Sequence, residues 1–218
     1  MRLSSLLLCV FSIIGTMLIV LGGLTAAQSL RELTSVRQEA VLGRADATAV
    51  SATVAMSLER SVVQVALALP DPIPQAFRDI VTQQRDIADA GLSDALRQVE
   101  AVDFLTTASQ YIAQTQDSLD RVDDIRTEID ALLSVPATER DAERVYALPF
   151  ELKAEVIALK NATELLRNRA GASTQVAGAL QAMQLKAWEV REFGGRARTY
   201  FAIATLNQEP ISEVDLGL

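Results

Sequence analysis

Histidine is absent from this chain. Its absence removes Ser-His-Asp and Cys-His nucleophiles, phosphohistidine chemistry and most transition-metal sites. The only cysteine, Cys9, forms no disulfide within the chain; it sits inside an apolar run, too early for a lipidation box, and reads as a small apolar side chain. Glycine and proline are few, ten and six residues, which argues against an all-β domain or a disulfide scaffold. Aromatic residues make up only 5% while alanine is abundant, a composition suited to long helices that pack closely. No Gly-rich phosphate loop, GxSxG, HExxH or CxxC motif is present. The chain is therefore expected to be no enzyme, with no cofactor and no metal. Positive charge is also short, with 28 Asp and Glu against 20 Lys and Arg. That balance lacks the basic stripe that nucleic-acid binding requires and disfavours adhesion to an anionic lipid surface.

One long hydrophobic run is present, residues 6–27, and it holds no charged residue. About 20 apolar residues carry a helix across a bilayer, so the run is expected to be a transmembrane anchor. Its rival is a cleaved signal peptide, for which Thr25-Ala26-Ala27 would serve as the cleavage site; against it, the apolar core of such peptides spans only about 7–15 residues. Arg2 precedes the run and Arg31 and Arg37 follow it, so basic residues do not set the orientation. A short N-terminus before a long helical body is the usual signal-anchor arrangement. The expected organisation is a cytoplasmic N-terminus (1–5), the anchor (6–27), an extracytoplasmic helical body (28–206) and a frayed tail (207–218).

Beyond the run the apolar residues recur with helical spacing. Val50, Val54, Leu58, Val62, Val65 and Leu69 make one stripe, which Pro70-Asp71-Pro72-Ile73-Pro74 ends. A second segment over 74–133 carries Phe77, Ile80, Val81, Ile87, Ala88, Leu92, Ala95, Val99 and Val102, then Leu119, Val122, Ile125, Ile129 and Leu132, with Gly91 a weak point. After Val135-Pro136, Thr138 is the expected N-cap of a third segment bearing Val145, Leu148, Leu152, Val156, Leu159 and Leu166, with Pro149 a kink or its true start. Gly171 and Ser173 mark a break before a fourth segment with Val176, Leu180, Met183, Ala187, Val190, Ala197 and Phe201. The fold class is all-α: an N-terminal transmembrane helix followed by long antiparallel helices in an up-down-up-down bundle. A second helix of about 60 residues would be ~90 Å long and would overrun the first, so it is expected to bend or break, with Gly91 one candidate position, unless the bundle tilts.

Candidate site residues are few. The acidic stretch from Asp117 to Asp130 has helical spacing and interleaved arginines, which suits a solvated face better than a metal site. If the first two segments fold back about residue 72, position n sits opposite roughly 144 − n, and Arg60 comes level with Gln84 and Arg85. Arg60, Gln64 and Arg85 could then clamp a small anion, because guanidinium forks match oxyanion geometry. Ordinary interhelical pairing is the alternative, Arg60 with Asp86 and Arg85 with Glu59, with Asp89 in the same polar set. Trp188 and Arg191, beside Glu189 and Glu192, form a second polar-aromatic patch; for Trp188 the plainer reading is core packing.

Several of these residues carry a resemblance. Met56-Ser57-Leu58-Glu59-Arg60-Ser61, the Pro-Asp-Pro turn, Arg85 with Asp89, Arg140-Asp141 and Ala187-Trp188-Glu189-Val190-Arg191-Glu192-Phe193-Gly194-Gly195-Arg196 resemble the N-terminal sensory region of bacterial transmembrane receptors. Those are methyl-accepting chemotaxis proteins and membrane-bound kinases and cyclases, and the pattern is similar to helical bimodular or nitrate/nitrite-sensing domains. The resemblance implies a periplasmic helical bundle on a single-pass inner-membrane anchor, working as a homodimer and sensing a small molecule. The chain departs from that pattern in having no second membrane helix, relay domain or transmitter, which implies a truncated receptor or an isolated sensor module. The competing expectation is a tethered helical adaptor that binds other membrane proteins.

Overall fold

The computed structural model describes residues 3–69, 73–102, 107–170 and 175–207; within its helices the side chains of 3–14, 107, 169, 170, 175–182, 184, 185, 188, 192, 196, 206 and 207 lie outside the description. Every regular element among the described residues is helical: α1 (Leu3–Ala68), α2 (Gln75–Glu100), α3 (Thr107–Ser134), a 3-10 turn (Ala137–Glu139), α4 (Ala142–Ala170) and α5 (Gln175–Asn207). The chain divides into two units, Met1–Ala40 and Val41–Leu218.

The first unit is helical, and its described large apolar side chains find no core. Met17, Leu18, Ile19, Val20, Leu21 and Leu24 are each at least half exposed. The Thr25 and Thr34 hydroxyls donate back to the carbonyls of Leu21 and Leu30, so they are satisfied within the helix. Support for a membrane span at 6–27 does not come from the structure. Among the described residues no helix is long and apolar enough to cross a membrane, and the side chains of residues 6–14 lie outside the description.

The second unit holds the core. α1 buries Ala45, Ala49, Ala52, Met56, Val63 and Ala66, while Val50, Val54, Leu58 and Val62 are only half-buried. Of the stripe of larger residues expected to face the core, Val65 and Leu69 are buried while the first four stand beside it, and the closely packed face is mostly alanine. α2 buries Val81, Ala88, Leu92, Ala95 and Val99, a heptad-like series; Ile80 and Ile87 of the expected stripe are exposed. Val122 and Ile129 of α3 and Leu148, Leu152, Val156 and Leu159 of α4 complete the main cluster. Arg121 and Arg144 tie α3 to α4 through Glu155 and Glu128, pairs that run in opposite sequence directions as antiparallel neighbours do.

The long second segment is two helices. α2 ends at Glu100 and α3 begins at Thr107, so the break comes after Glu100 rather than at Gly91. Ion pairs between Arg85 and Asp130 and between Arg126 and Asp89 again run in opposite directions, which makes α2 and α3 antiparallel neighbours and removes the expected overrun. Gly91 lies inside α2, where a β-carbon would come 2.9 Å from Ala52 Cβ and 3.6 Å from the Thr48 carbonyl. Glycine is needed there for contact with α1. Gly91→Ala is expected to destabilise the fold by about 1–3 kcal/mol through overpacking, even though alanine is the better helix former by ~1 kcal/mol. Adding Ala52→Gly should recover part of the loss. A urea-melt cycle in which Gly91→Ala proves stabilising would contradict the close approach.

The remaining boundaries differ in detail. The Asp141 carboxylate accepts from the amides of Glu143 and Arg144, which makes Asp141 the N-cap of α4, while Thr138 lies in the 3-10 turn. α4 passes through Pro149, which is therefore not its start. Of the expected fourth stripe, Met183, Val190 and Phe201 of α5 are exposed rather than core, and the side chains of Val176 and Leu180 lie outside the description. The Pro70–Pro72 turn, the Gly171 and Ser173 break and the tail beyond Asn207 lie outside the described residues.

A smaller cluster contains Leu42, Ala45, Val99, Ala108, Ala162 and Leu166 around Tyr111. Beside it Arg167 reaches the buried Asp46 carboxylate at 3.1 Å; burial pushes the Asp46 pKa up, and the Arg167 charge and hydrogen bond oppose that. The Tyr111 hydroxyl and Thr115 Oγ1 are buried beside each other, and neither completes a hydrogen bond of good geometry among the described residues. Burial pushes the Tyr111 phenol up to about 12, with Thr115 opposing in part and the Asp46 charge adding to the rise. A raised folded pKa gives stability that is present below the unfolded value and lost as pH rises through the folded one. The loss here should fall between about pH 10 and 12 and amount to about 2–3 kcal/mol. Tyr111→Phe should abolish that alkaline loss and leave stability at pH 7 unchanged or up to ~1 kcal/mol higher. Urea melts at neutral and alkaline pH compare the two proteins; an equal alkaline loss in both would refute the assignment.

Candidate functional site

A buried charged layer crosses the core of the second unit. Glu59 is fully buried on α1. Its carboxylate accepts from Arg85 Nε at 2.8 Å and from Arg126 Nε and Nη2 at 3.0 and 2.7 Å. Arg126 Nη1 also donates to Asp89 and Arg85 Nη1 to Asp130, both at 2.7 Å. Burial works against the charge on Arg126, but the hydrogen bonds and charges of Glu59 and Asp89 outweigh it and raise its pKa above the usual arginine value. The same balance holds for Arg85, between burial on one side and Asp130 with Glu59 on the other. Asp86 is exposed and takes no ion pair among the described residues. Two arginines facing three carboxylates leave no positive surplus here, so the layer is a structural tie and a poor anion receptor.

Other arginines converge elsewhere. A half-open groove of about 600 Å³ runs between α1 and α5, with Phe77 of α2 at its margin. α1 contributes Val54, Ser57, Leu58, Arg60, Ser61, Val62 and Val65; α5 contributes Arg191, Gly195, Arg198, Thr199, Phe201, Ala202 and Thr205. Among the described side chains three arginines and no carboxylate line it, in a chain of net charge −8; the Glu192 side chain on α5 lies outside the description, and Arg60 already makes a polar contact of its own. Arg60 is 5% exposed, whereas Arg191 and Arg198 are exposed. Most lining hydroxyls are occupied locally: Ser61 donates to the Ser57 carbonyl, Thr199 to Gly195 and Thr205 to Phe201. Ser57 Oγ is the exception, buried with no partner among the described residues. Such a group costs free energy until something pairs with it.

The structure thus separates the expected clamp. Arg60 and Arg191 line one groove. Arg85 lies with Asp130 on another groove, of about 280 Å³, between α1, α2 and α3. Gln64 is half-buried on α1 and lines neither. The Trp188 side chain lies outside the described residues. Ser57 and Arg198 were missed as site residues, yet each carried a signal: Ser57 is three residues before Arg60 and Arg198 seven after Arg191, spacings that share a helix face. Among the described residues no cluster of His, Cys, Asp or Glu is arranged to hold a metal ion. No protein-family model matches the chain, and no curated protein or solved structure matches it either.

Proposed function

We propose that this chain is a membrane-anchored, extracytoplasmic ligand-sensing module of a bacterial receptor, with residues 41–170 as an up-down-up-down bundle and a small anion as its ligand. The observation that carries this reading is the groove between α1 and α5, with three arginines and, among the described residues, no carboxylate and a buried hydroxyl without a partner. Its size suits a small-molecule ligand. The charge-free run at 6–27 and the exposed apolar side chains from Met17 to Leu24 support the anchor, since a stretch of that kind calls for lipid or a partner to cover it. The bulk of the chain is assigned to the periplasmic side of the inner membrane. The test is the melting temperature of the full chain in zwitterionic lipid nanodiscs against a panel of small organic and inorganic anions. At least one should raise it by several degrees, and Arg191→Gln with Arg198→Gln should remove the effect. A panel with no shift, or a shift that survives the double variant, sinks the proposal.

The exposed face of α5 supports a second reading, a tethered adaptor. Met183, Val190 and Phe201 follow the spacing of a helix–helix seam and call for a covering partner. Crosslinking in native membranes from positions on that face separates the two readings. Self-crosslinks alone fit the sensor as a homodimer; crosslinks to other membrane proteins favour the adaptor.

A further inference from the structure

The α1–α5 groove is divided along its length. Sequence order sets the division. On α1 Val54, Ser57, Leu58, Arg60 and Ser61 precede Val62 and Val65, so its one charged lining residue comes before an apolar end; on α5, Arg191, Arg198 and Thr199 precede Phe201, Ala202 and Thr205, whose hydroxyl donates to the Phe201 carbonyl. Phe77, just inside the start of α2, lines the same groove as the later, apolar residues of both helices. A cationic stretch is thus followed by a hydrocarbon and aryl stretch. From Ser57 to Val65 the helix rises ~12 Å, enough for a charged head and a tail of several carbons.

Resting on the groove being a ligand site, as proposed above, we infer that its ligand is an amphipathic organic monoanion: a free carboxylate bearing an alkyl or aryl tail. The head lies against Arg191, Arg198 and Arg60, with Ser57 Oγ as a further partner. A guanidinium carries five donors, so Arg60 can hold a carboxylate beside the contacts it already makes. The tail covers Val62, Val65, Phe77 and Phe201. A small dicarboxylate or inorganic anion satisfies the arginines but leaves this apolar end unused. A dicarboxylate long enough to fill the groove buries its second charge where no lining cation waits.

The experiment is calorimetric titration of the full chain in zwitterionic nanodiscs with acetate, butyrate, hexanoate and octanoate, then with 3-phenylpropionate, succinate, sulfate and hexanol. Affinity should rise about fourfold for each methylene added, the value of burying one CH₂, and 3-phenylpropionate should bind near hexanoate. Hexanol, succinate and sulfate should each bind at least tenfold more weakly than hexanoate. Arg191→Gln with Arg198→Gln should abolish the carboxylate series without altering tail partitioning into lipid, which serves as its control. Phe77→Ser should flatten the chain-length dependence while leaving acetate unchanged. Anionic lipid in the disc should not compete; if it does, the groove is a lipid site and the free carboxylate is overturned. If succinate or sulfate binds as tightly as hexanoate, the amphipathic class fails and the anion-sensing reading survives. If no anion binds at all, both fail.

Discussion

Glu59→Ala should cost about 3–5 kcal/mol, a fall in melting temperature of ~6–20 °C. Glu59 is the single carboxylate shared by Arg85 and Arg126, and the Arg126 side chain is only 7% exposed. Removing the shared acceptor leaves that guanidinium buried with Asp89 as its remaining close partner. The loss comes from an uncompensated buried charge, so it should shrink when the charge goes too. Glu59→Leu with Arg126→Leu is expected to recover at least half of it, because an apolar layer of similar volume can replace a buried ion pair. Asp130→Ala at the exposed rim should cost less than ~1 kcal/mol. Chemical denaturation of the three variants decides the matter. Equal losses for Glu59→Ala and the double variant would place the effect in packing and remove the electrostatic account.

Arg140→Ala is expected to cost ~3–4 kcal/mol. The Arg140 guanidinium donates through Nε to the carbonyls of Leu132 and Val135, and through Nη1 to those of Leu67 and Leu69. Those carbonyls belong to the last turns of α1 and α3 and the residues just beyond them, where helix geometry leaves the C=O groups unpaired and the dipole favours a cation. One side chain therefore caps two helices. Two charge-assisted hydrogen bonds at ~1.5–3 kcal/mol each set the scale. Arg140→Lys should restore less than half, since a compact ammonium on a flexible stem cannot span both ends. Native-state hydrogen exchange supplies the specific signature: amides near the C-terminal ends of α1 and α3 should lose protection together. A loss confined to α4, which Arg140 precedes, would show that the residue acts only on its own helix.

The two arginines just described differ in how far the sequence reveals them. A fold-back about residue 72 puts position 59 opposite position 85, and Glu59 and Arg85 are 2.8 Å apart in the structure. That register is legible because a short connection leaves little freedom. Arg126 was hidden in an acidic stretch whose spacing suits a solvated face, and its burial depends on α3 packing against both α1 and α2. The α2–α3 break was hidden for a related reason. Residues 101–106 contain neither glycine nor proline, and the apolar stripe continues across them, so local propensity favours one helix while tertiary packing imposes two. The groove was half legible. Arg60 and Arg191 stood out as charges near an apolar stripe, but their convergence depends on which face α1 turns to the core. Pattern reading favours the larger side chains at Val54, Leu58 and Val62 for that face. Close helix packing instead chose the alanines, since small residues let backbones approach.

That alanine face is a smooth rail. Ala45, Ala49 and Ala52 offer few protrusions to catch in a neighbour's grooves, so the seam itself marks the axial position of α1 chiefly at the close approach of Gly91 to Ala52, which a slide of one turn, ~5.4 Å, would undo. The Glu59 layer is the index pin on the rail, because the same slide takes the carboxylate away from both arginines. Glu59 therefore contributes to registration as well as to stability, and only the second can be replaced by apolar packing. The chain with leucine at positions 59 and 126 should keep much of its stability and lose its single axial setting, visible as a broadened distance distribution between spin labels on α1 and α2.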